Sequence, residues 1–385
     1  MTQAAQSLDD GVGRHYEYAQ VRPKTTVVMW QSNKIDPRTA RPRGASMTLN
    51  RRFLLVRRPN GMPVPEDFSL TESPLADPPA GSFYVRNHFA SLDPAQRGWM
   101  DDAPSYMPPI KLGDAVRATT VGRVHSSANP DFKPGDWVLG LNAIEEYSLV
   151  APGGFTSKID VSRVPSPSFF LSGLGAVGMT AYFGLLETGQ PRSGETVLVT
   201  GAAGAVGSLV GQIAKIQGCR TIGIAGGAAK CKRLKERYHY DEAIDYRGKS
   251  VEQLSAAIAA LAPGGVNVIF ENVGGDILDA GLMNLADKAR IVVCGLISEY
   301  NSADGRVGAR NIWQLIVKQA SMIGFLVRDY VPRFAEGGAQ LAQWMAQGKL
   351  VLDEQIEVGI DNAYPAFMKL FSGANDGKLI LKIGS

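Results

Sequence analysis

The stretch TVLVTGAAGAVGSLVGQIAKIQGCRTIGIAGGAAK, residues 196–230, constrains this chain more than any other. Its opening Val197-Leu198-Val199 is apolar and β-branched enough for a buried parallel strand. Gly201, Gly204 and Gly207 follow as G-x-x-G-x-x-G, with Ala205 and Val206 between the last two. Glycines at such a turn let backbone N–H groups approach a pyrophosphate, which sits at the positive end of the next helix. Residues 208–217 supply that helix and 220–225 a second strand. The spacing is not the common G-x-G-x-x-G, and three glycines alone would also suit a plain strand-ending turn. The strand, helix and strand of normal length around them make the segment a dinucleotide-binding βαβ unit.

The end of the second strand bears on which dinucleotide. An NAD site places Asp or Glu near there to hold the ribose hydroxyls. Here the residues are Gly226, Gly227, Ala228, Ala229 and Lys230. A carboxylate would repel a ribose phosphate, whereas a lysine attracts it. These residues favour NADP(H) over NAD(H). The plain alternative makes Lys230 a solvated lysine opening a basic helix over 230–237.

The chain's 385 residues allow one or two domains with a substantial core. Hydrophobic residues at 45% and charged ones at 20% are ordinary for a globular protein. A net charge of +3 with no long basic block gives no sign of nucleic-acid binding. No apolar run is long enough to cross a membrane, and no signal-peptide pattern opens the chain. The three cysteines, Cys219, Cys231 and Cys294, are too sparse for a disulfide framework and suit a reducing cytoplasm. The four histidines, His15, His88, His125 and His239, are scattered, and neither C-x-x-C nor H-E-x-x-H occurs, so no zinc site is expected.

Residues 1–46 carry polar clusters such as KIDPRTARPRGAS and are expected to be a poorly ordered extension. Met47 is a plausible alternative translation start. From there to about 167 the pattern is short strands and turns, with strands expected at 52–57, 82–89 and 115–125 and a turn into a strand over 132–140. From about 168 helices and strands alternate. A helical connector over 169–189 precedes the βαβ unit. Strands at 242–245, 266–271, 290–294 and 321–327 alternate with helices at 251–261, 276–285 and 333–347. The tail carries a strand at 356–360, a helix at 363–371 and a last strand at 378–383. This order implies an α/β chain: a β-rich domain over 47–167 and 348–385, and a doubly wound parallel sheet over 168–347. A cleft between the two is the natural place for cofactor and substrate.

The chain resembles the zinc-independent medium-chain dehydrogenases/reductases, in the branch of leukotriene hydroxydehydrogenase, prostaglandin reductase and curcumin reductase. The segments that carry the resemblance are GMTAYFGLL (178–186), the glycine turn and helix (201–215), FENVGG (270–275), CGLISEYN (294–301) and NDGK (375–378). With a weaker match before them they span the chain from Met47 onward. The resemblance implies a GroES-like β domain beside a Rossmann domain, a homodimer, and NADPH-dependent reduction of the C=C bond of α,β-unsaturated aldehydes and ketones without metal. It places Lys230 and Tyr246 at the ribose phosphate, Asn272 and Val273 toward the nicotinamide, and Cys294 and Asn375 against the cofactor. It makes Tyr300 a proton donor or substrate anchor. Plainer roles exist for each: Tyr246 as cover for a strand end, Asn272 and Asn375 as turn residues, Tyr300 as loop surface.

One departure stands out. Where the family reads D-P-Y-M-R-G, this chain reads Leu92-Asp-Pro-Ala-Gln-Arg-Gly-Trp99, so Ala95 and Gln96 replace tyrosine and methionine. The retained Asp93, Pro94, Arg97 and Gly98 imply that the loop keeps its shape, and Tyr106 is a candidate to project into the same cleft. Two further readings stay open on the same scaffold: a quinone reductase, and an NADPH-binding sensor without catalysis.

Overall fold

The chain begins its described course in antiparallel strands. The computed structural model describes residues 48–303 and 307–384, and the expectation for residues 1–46 lies outside them. Strands β1 (Leu49–Leu55) and β2 (Phe68–Pro74) pair antiparallel. Then come β3 (Phe83–Ser91), the short helix α1 (Ala95–Trp99), β4 (Arg117–Ser127), β5 (Trp137–Ala143), β6 (Tyr147–Val150) and β7 (Thr156–Lys158). In β3, Phe83, Val85 and Asn87 point inward while Tyr84, Arg86 and His88 are more exposed, the period-two pattern of a half-buried strand.

The expected connector over 169–189 is broken into three pieces. They are a 3-10 turn at Pro167–Leu171, helix α2 (Ala176–Phe183) and a π-helical turn at Gly184–Gly189. Beyond it the alternation is regular: β8 (Thr196–Val199), α3 (Ala205–Ile216), β9 (Arg220–Ala225), α4 (Ala228–Glu236), β10 (Glu242–Asp245), α5 (Val251–Leu261), β11 (Val266–Glu271), α6 (Gly275–Leu282), β12 (Leu285–Val293), α7 (Trp313–Val317) and β13 (Ser321–Gly324). These six strands form one parallel sheet in the order β10-β9-β8-β11-β12-β13, the doubly wound order whose switch point lies between β8 and β11. Val197, Leu198 and Val199 are fully buried, and each such side chain contributes about 1.5–3 kcal/mol of hydrophobic stabilisation.

The last segment holds α8 (Phe334–Ala346), β14 (Glu354–Val358), α9 (Ala363–Ser372) and β15 (Lys378–Lys382). Strand β15 pairs with β3, so the tail returns to the sheet of the first half, ordered β14-β15-β3-β4-β5-β7 with β6 on β3. No helix among the described residues is long and apolar enough to cross a membrane.

Two elements differ from the sequence pattern for identifiable reasons. The helix expected to reach 285 stops at Leu282, because Asn284 turns its side-chain amide onto the Ala280 carbonyl and the Ser255 hydroxyl, both at 2.8 Å. Leu285 then opens β12 opposite Val266, five residues ahead of the expected strand start. The strand expected over 321–327 ends at Gly324, where Phe325 turns into the core and a 3-10 turn over Val327–Arg333 follows.

Candidate active site

The glycine turn leaves β8 through Thr200. Gly201 has φ +57°, and a Cβ there would also stand 3.3 Å from the Val273 side chain. At Gly207 a Cβ would lie 2.5 Å from the Gly201 carbonyl oxygen and 2.7 Å from Ala202 Cα, so only glycine lets α3 lie this close to the turn. Helix α3 starts at Gly204 with no side-chain cap, so the amides of Ala205, Val206 and Gly207 form an N-terminus suited to an anion.

At the end of β9 three cations converge. The Lys230 ammonium donates to the Gly373 carbonyl at 2.8 Å, and Arg233 pairs with Asp376 at 2.8 Å. Burial lowers the Lys230 pKa, Asp376 opposes that, and Arg233 and Arg247 lower it further. Arg247 is a residue that the sequence pattern did not single out. Its guanidinium stands 3.2 Å from the point where a Cβ on Gly227 would sit, and the Tyr246 hydroxyl stands 3.0 Å from the equivalent point on Gly226. The nearest carboxylate on this turn, Asp245, is spent on the backbone amides of Gly227 and Arg247, at 2.8 and 3.0 Å.

The other end of the site lies at the switch point. Glu271 ends β11 fully buried. Its Oε1 accepts from the Thr200 hydroxyl and the Gly274 amide at 2.8 Å and from the Val273 amide, while Oε2 has no partner among the described residues. Burial raises this carboxyl's pKa against the pull of those donors. Asn272 uses its side-chain amide on the Thr200 carbonyl at 2.7 Å, and its own amide donates to the Thr200 hydroxyl at 2.8 Å. The plainer turn role therefore accounts for that N–H, while Val273 lies against Gly201. Cys294, just past β12, has its thiol pushed up to about 12 by burial and the nearby Glu271. The Tyr300 hydroxyl accepts from the Leu296 amide at 3.3 Å and stands over Gly295.

The tail loop joins Lys230 to the glycine turn. Gly377 forms a backbone bridge with Gly204, Gly373 accepts from Lys230, and Asn375 between them donates to the Gly377 carbonyl at 3.1 Å. The predicted residues thus line one continuous edge, across the carboxyl ends of β9, β8, β11 and β12.

Comparison with known proteins fits this arrangement. A model for the N-terminal domain of oxidoreductases matches residues 51–158, and one for zinc-binding dehydrogenases matches 205–344. The NADPH-dependent curcumin reductase of Escherichia coli is 39% identical, over 88% of this chain and 99% of its own. The chain belongs to the zinc-independent medium-chain dehydrogenases/reductases. The NADP(+)-dependent 2-alkenal reductase of Nicotiana tabacum is 38% identical over 87% of this chain and 97% of its own. The crystal structure of CurA from Vibrio vulnificus in complex with NADPH superposes with a TM-score of 0.82 at 38% identity, covering 87% of this chain and 99% of that one. Among the described residues of this medium-chain reductase, no three His, Cys, Asp or Glu side chains gather where they could hold a metal ion.

The departing loop of this medium-chain reductase is well anchored. Gln96 is fully buried, and its amide donates to the Ser91 and Arg117 carbonyls at 3.3 and 2.9 Å while its oxygen accepts from the Asp93 amide at 2.9 Å. Arg97, also buried, donates to the Pro59 and Gly61 carbonyls and pairs with Asp101. The buried Lys378 ammonium holds the Leu92 carbonyl at 2.8 Å and Asp93 at 2.7 Å, tying β15 to the same loop. A polar network thus anchors the loop at Gln96.

Proposed function

We propose that this protein reduces the C=C bond of α,β-unsaturated aldehydes or ketones with NADPH. The observation that carries the cofactor half is the convergence of Lys230, Tyr246 and Arg247 at the end of β9, with Asp245 turned away onto the backbone. With Asp245 turned onto the backbone and Asp376 paired to Arg233, Lys230 and Arg247 suit a ribose phosphate and disfavour a bare ribose. The amides of Ala205, Val206 and Gly207 receive the pyrophosphate. Asn272, Val273 and Cys294 flank the nicotinamide end, and Asn375 covers the middle from the tail loop.

Bound NADPH supplies a hydride, which adds to the β-carbon of the conjugated carbonyl. Negative charge then develops on the substrate's carbonyl oxygen, and the protein's part is to meet it with donors in a site shielded from water. Tyr300, at the carboxyl end of β12, is one such donor. Water protonates the α-carbon. Support for the substrate class comes from the names of the curcumin and 2-alkenal reductases, which match over nearly their whole lengths.

The active form in this reading is a homodimer in the cytoplasm, joined through the open edge of β13, and its unpaired cysteines suit that compartment. The test is NADPH consumption with a 2-alkenal, an aromatic enone, a quinone and a saturated aldehyde, each repeated with NADH. Rapid NADPH oxidation with the two conjugated carbonyls and none with the saturated aldehyde is expected. Turnover confined to the quinone would replace the reading with quinone reduction.

A further inference from the structure

The geometry points to Tyr106 as a second catalytic residue, whose phenol donates a hydrogen bond to the carbonyl oxygen of the conjugated substrate. This rests on the reductase reading above. Ala95 leaves the start of α1 without a donor. Further along the same loop, the Trp99 indole N–H donates to the Tyr106 hydroxyl oxygen at 3.1 Å, with the two rings edge to face at 6.4 Å. That contact uses an oxygen lone pair and orients the phenol. It leaves the phenolic O–H with no acceptor among the described residues.

Tyr106 is held by two distant parts of the chain. Arg328, in the 3-10 turn after β13, donates to the Tyr106 carbonyl from the Rossmann side. Trp99 is steadied by Arg117, whose guanidinium lies over its ring at 5.9 Å, and by the Ile110 amide on its carbonyl at 2.7 Å. Gly61, whose carbonyl accepts from Arg97 of the same loop, has its Cβ position 3.4 Å from the Asn301 carbonyl oxygen, so the loop that carries Tyr106 packs beside the segment that carries Tyr300.

The chemistry suits a donor. Tyr106 is 39% exposed, so a ligand can reach it. Burial of the rest of the ring raises the phenol's pKa, with the Trp99 contact opposing and Asp93 and Cys294 adding to the rise. The group therefore stays protonated at working pH. As hydride forms the new C–H bond at the β-carbon, the C=C electron pair shifts toward the carbonyl and its oxygen becomes an enolate oxygen. Tyr106 stabilises that charge through its O–H without giving up the proton, and the α-carbon takes its proton from water. The sum is one NADPH and one proton consumed for each C=C bond saturated.

The test compares wild type, Tyr106→Phe and Tyr300→Phe, which keep their rings and lose only the hydroxyls. Steady-state rates with an aromatic enone are paired with NADPH affinity from fluorescence titration and with calorimetric binding of the saturated ketone to the NADP+ complex. Tyr106→Phe is expected to lower kcat about 100-fold, as removal of an oxyanion donor does. NADPH affinity should stay within about twofold and the saturated ketone should bind more weakly. A wild-type enzyme that turns over while Tyr106→Phe matches its kcat overturns the assignment and leaves the reductase reading standing. A wild type that consumes no NADPH with enone or enal defeats both.

Discussion

Lys230 and Gly373 are joined by a hydrogen bond of 2.8 Å, which ties the helix after β9 to the tail loop beside the glycine turn. The same ammonium has two jobs in our reading: it holds the tail over the cofactor edge, and it faces the ribose phosphate with Arg247. Removing it as Lys230→Ala is expected to raise the KM for NADPH about 10- to 100-fold, the worth of one charge-assisted contact. The KM for NADH should change little. Arg247→Ala should act in the same direction. Equal losses with both dinucleotides would assign Lys230 to the tail loop alone.

Gly207 offers a separate test of the turn. A methyl group there meets backbone atoms, the Gly201 oxygen at 2.5 Å and Ala202 Cα at 2.7 Å, which cannot rotate away. Gly207→Ala should cost about 1–3 kcal/mol of stability as an overpacked site. Because the shift falls on the turn itself, NADPH affinity should fall as well. Thermal unfolding with and without NADPH measures both, and an unchanged midpoint together with unchanged affinity would remove Gly207 from the site.

Much of this architecture could be read from local pattern. The β8–α3–β9 unit, the carboxylate-free end of β9 and the helix over Val251–Leu261 depend on neighbours within a few residues, and such signals survive in a single sequence. What escaped reading depends on distant partners. The stop at Leu282 rests partly on Asn284 reaching Ser255, and the buried Gln96 of α1 is satisfied by the carbonyl of Arg117 at the start of β4. Short strands such as β6 and β7 carry too few residues for periodicity to mark them. Arg247 follows its strand as an ordinary charged residue, and only its place over Gly227 marks it.

Glu271 should leave a signature in the pH dependence of stability. It is fully buried, with Oε1 crowded by donors and Oε2 without a partner among the described residues. Burial sets its pKa above the ordinary carboxylate value despite those donors. A carboxyl raised in the folded state contributes stability that is full below its unfolded pKa and is lost as pH rises through the folded pKa. Glu271→Gln keeps an oxygen for the Thr200, Val273 and Gly274 donors and removes the charge. The melting-temperature advantage of Glu271→Gln over wild type should therefore grow as the pH rises above the ordinary carboxylate range. A difference that is flat or shrinks over that rise would mean the carboxylate is stabilised in place.

The edge of the parallel sheet gives the last test. Strand β13 ends the sheet with one side unpaired among the described residues, and Ile323 on it is 44% exposed. The helix before it adds Trp313, 66% exposed, with Ile316 and Val317 also outward. An open hydrophobic edge invites uncontrolled pairing unless something covers it. A second copy of the same edge is the cover we propose, since a two-fold axis would pair β13 with β13 and bury both apolar helices. Trp313→Glu and Ile323→Lys each place a charge at that contact, far from the glycine turn. Sedimentation should show a dimer for wild type and a monomer for the double variant, with NADPH affinity within about twofold of wild type because the cofactor edge lies within one chain. If wild type sediments as a monomer, the apolar edge stands without a second copy and the dimer reading fails.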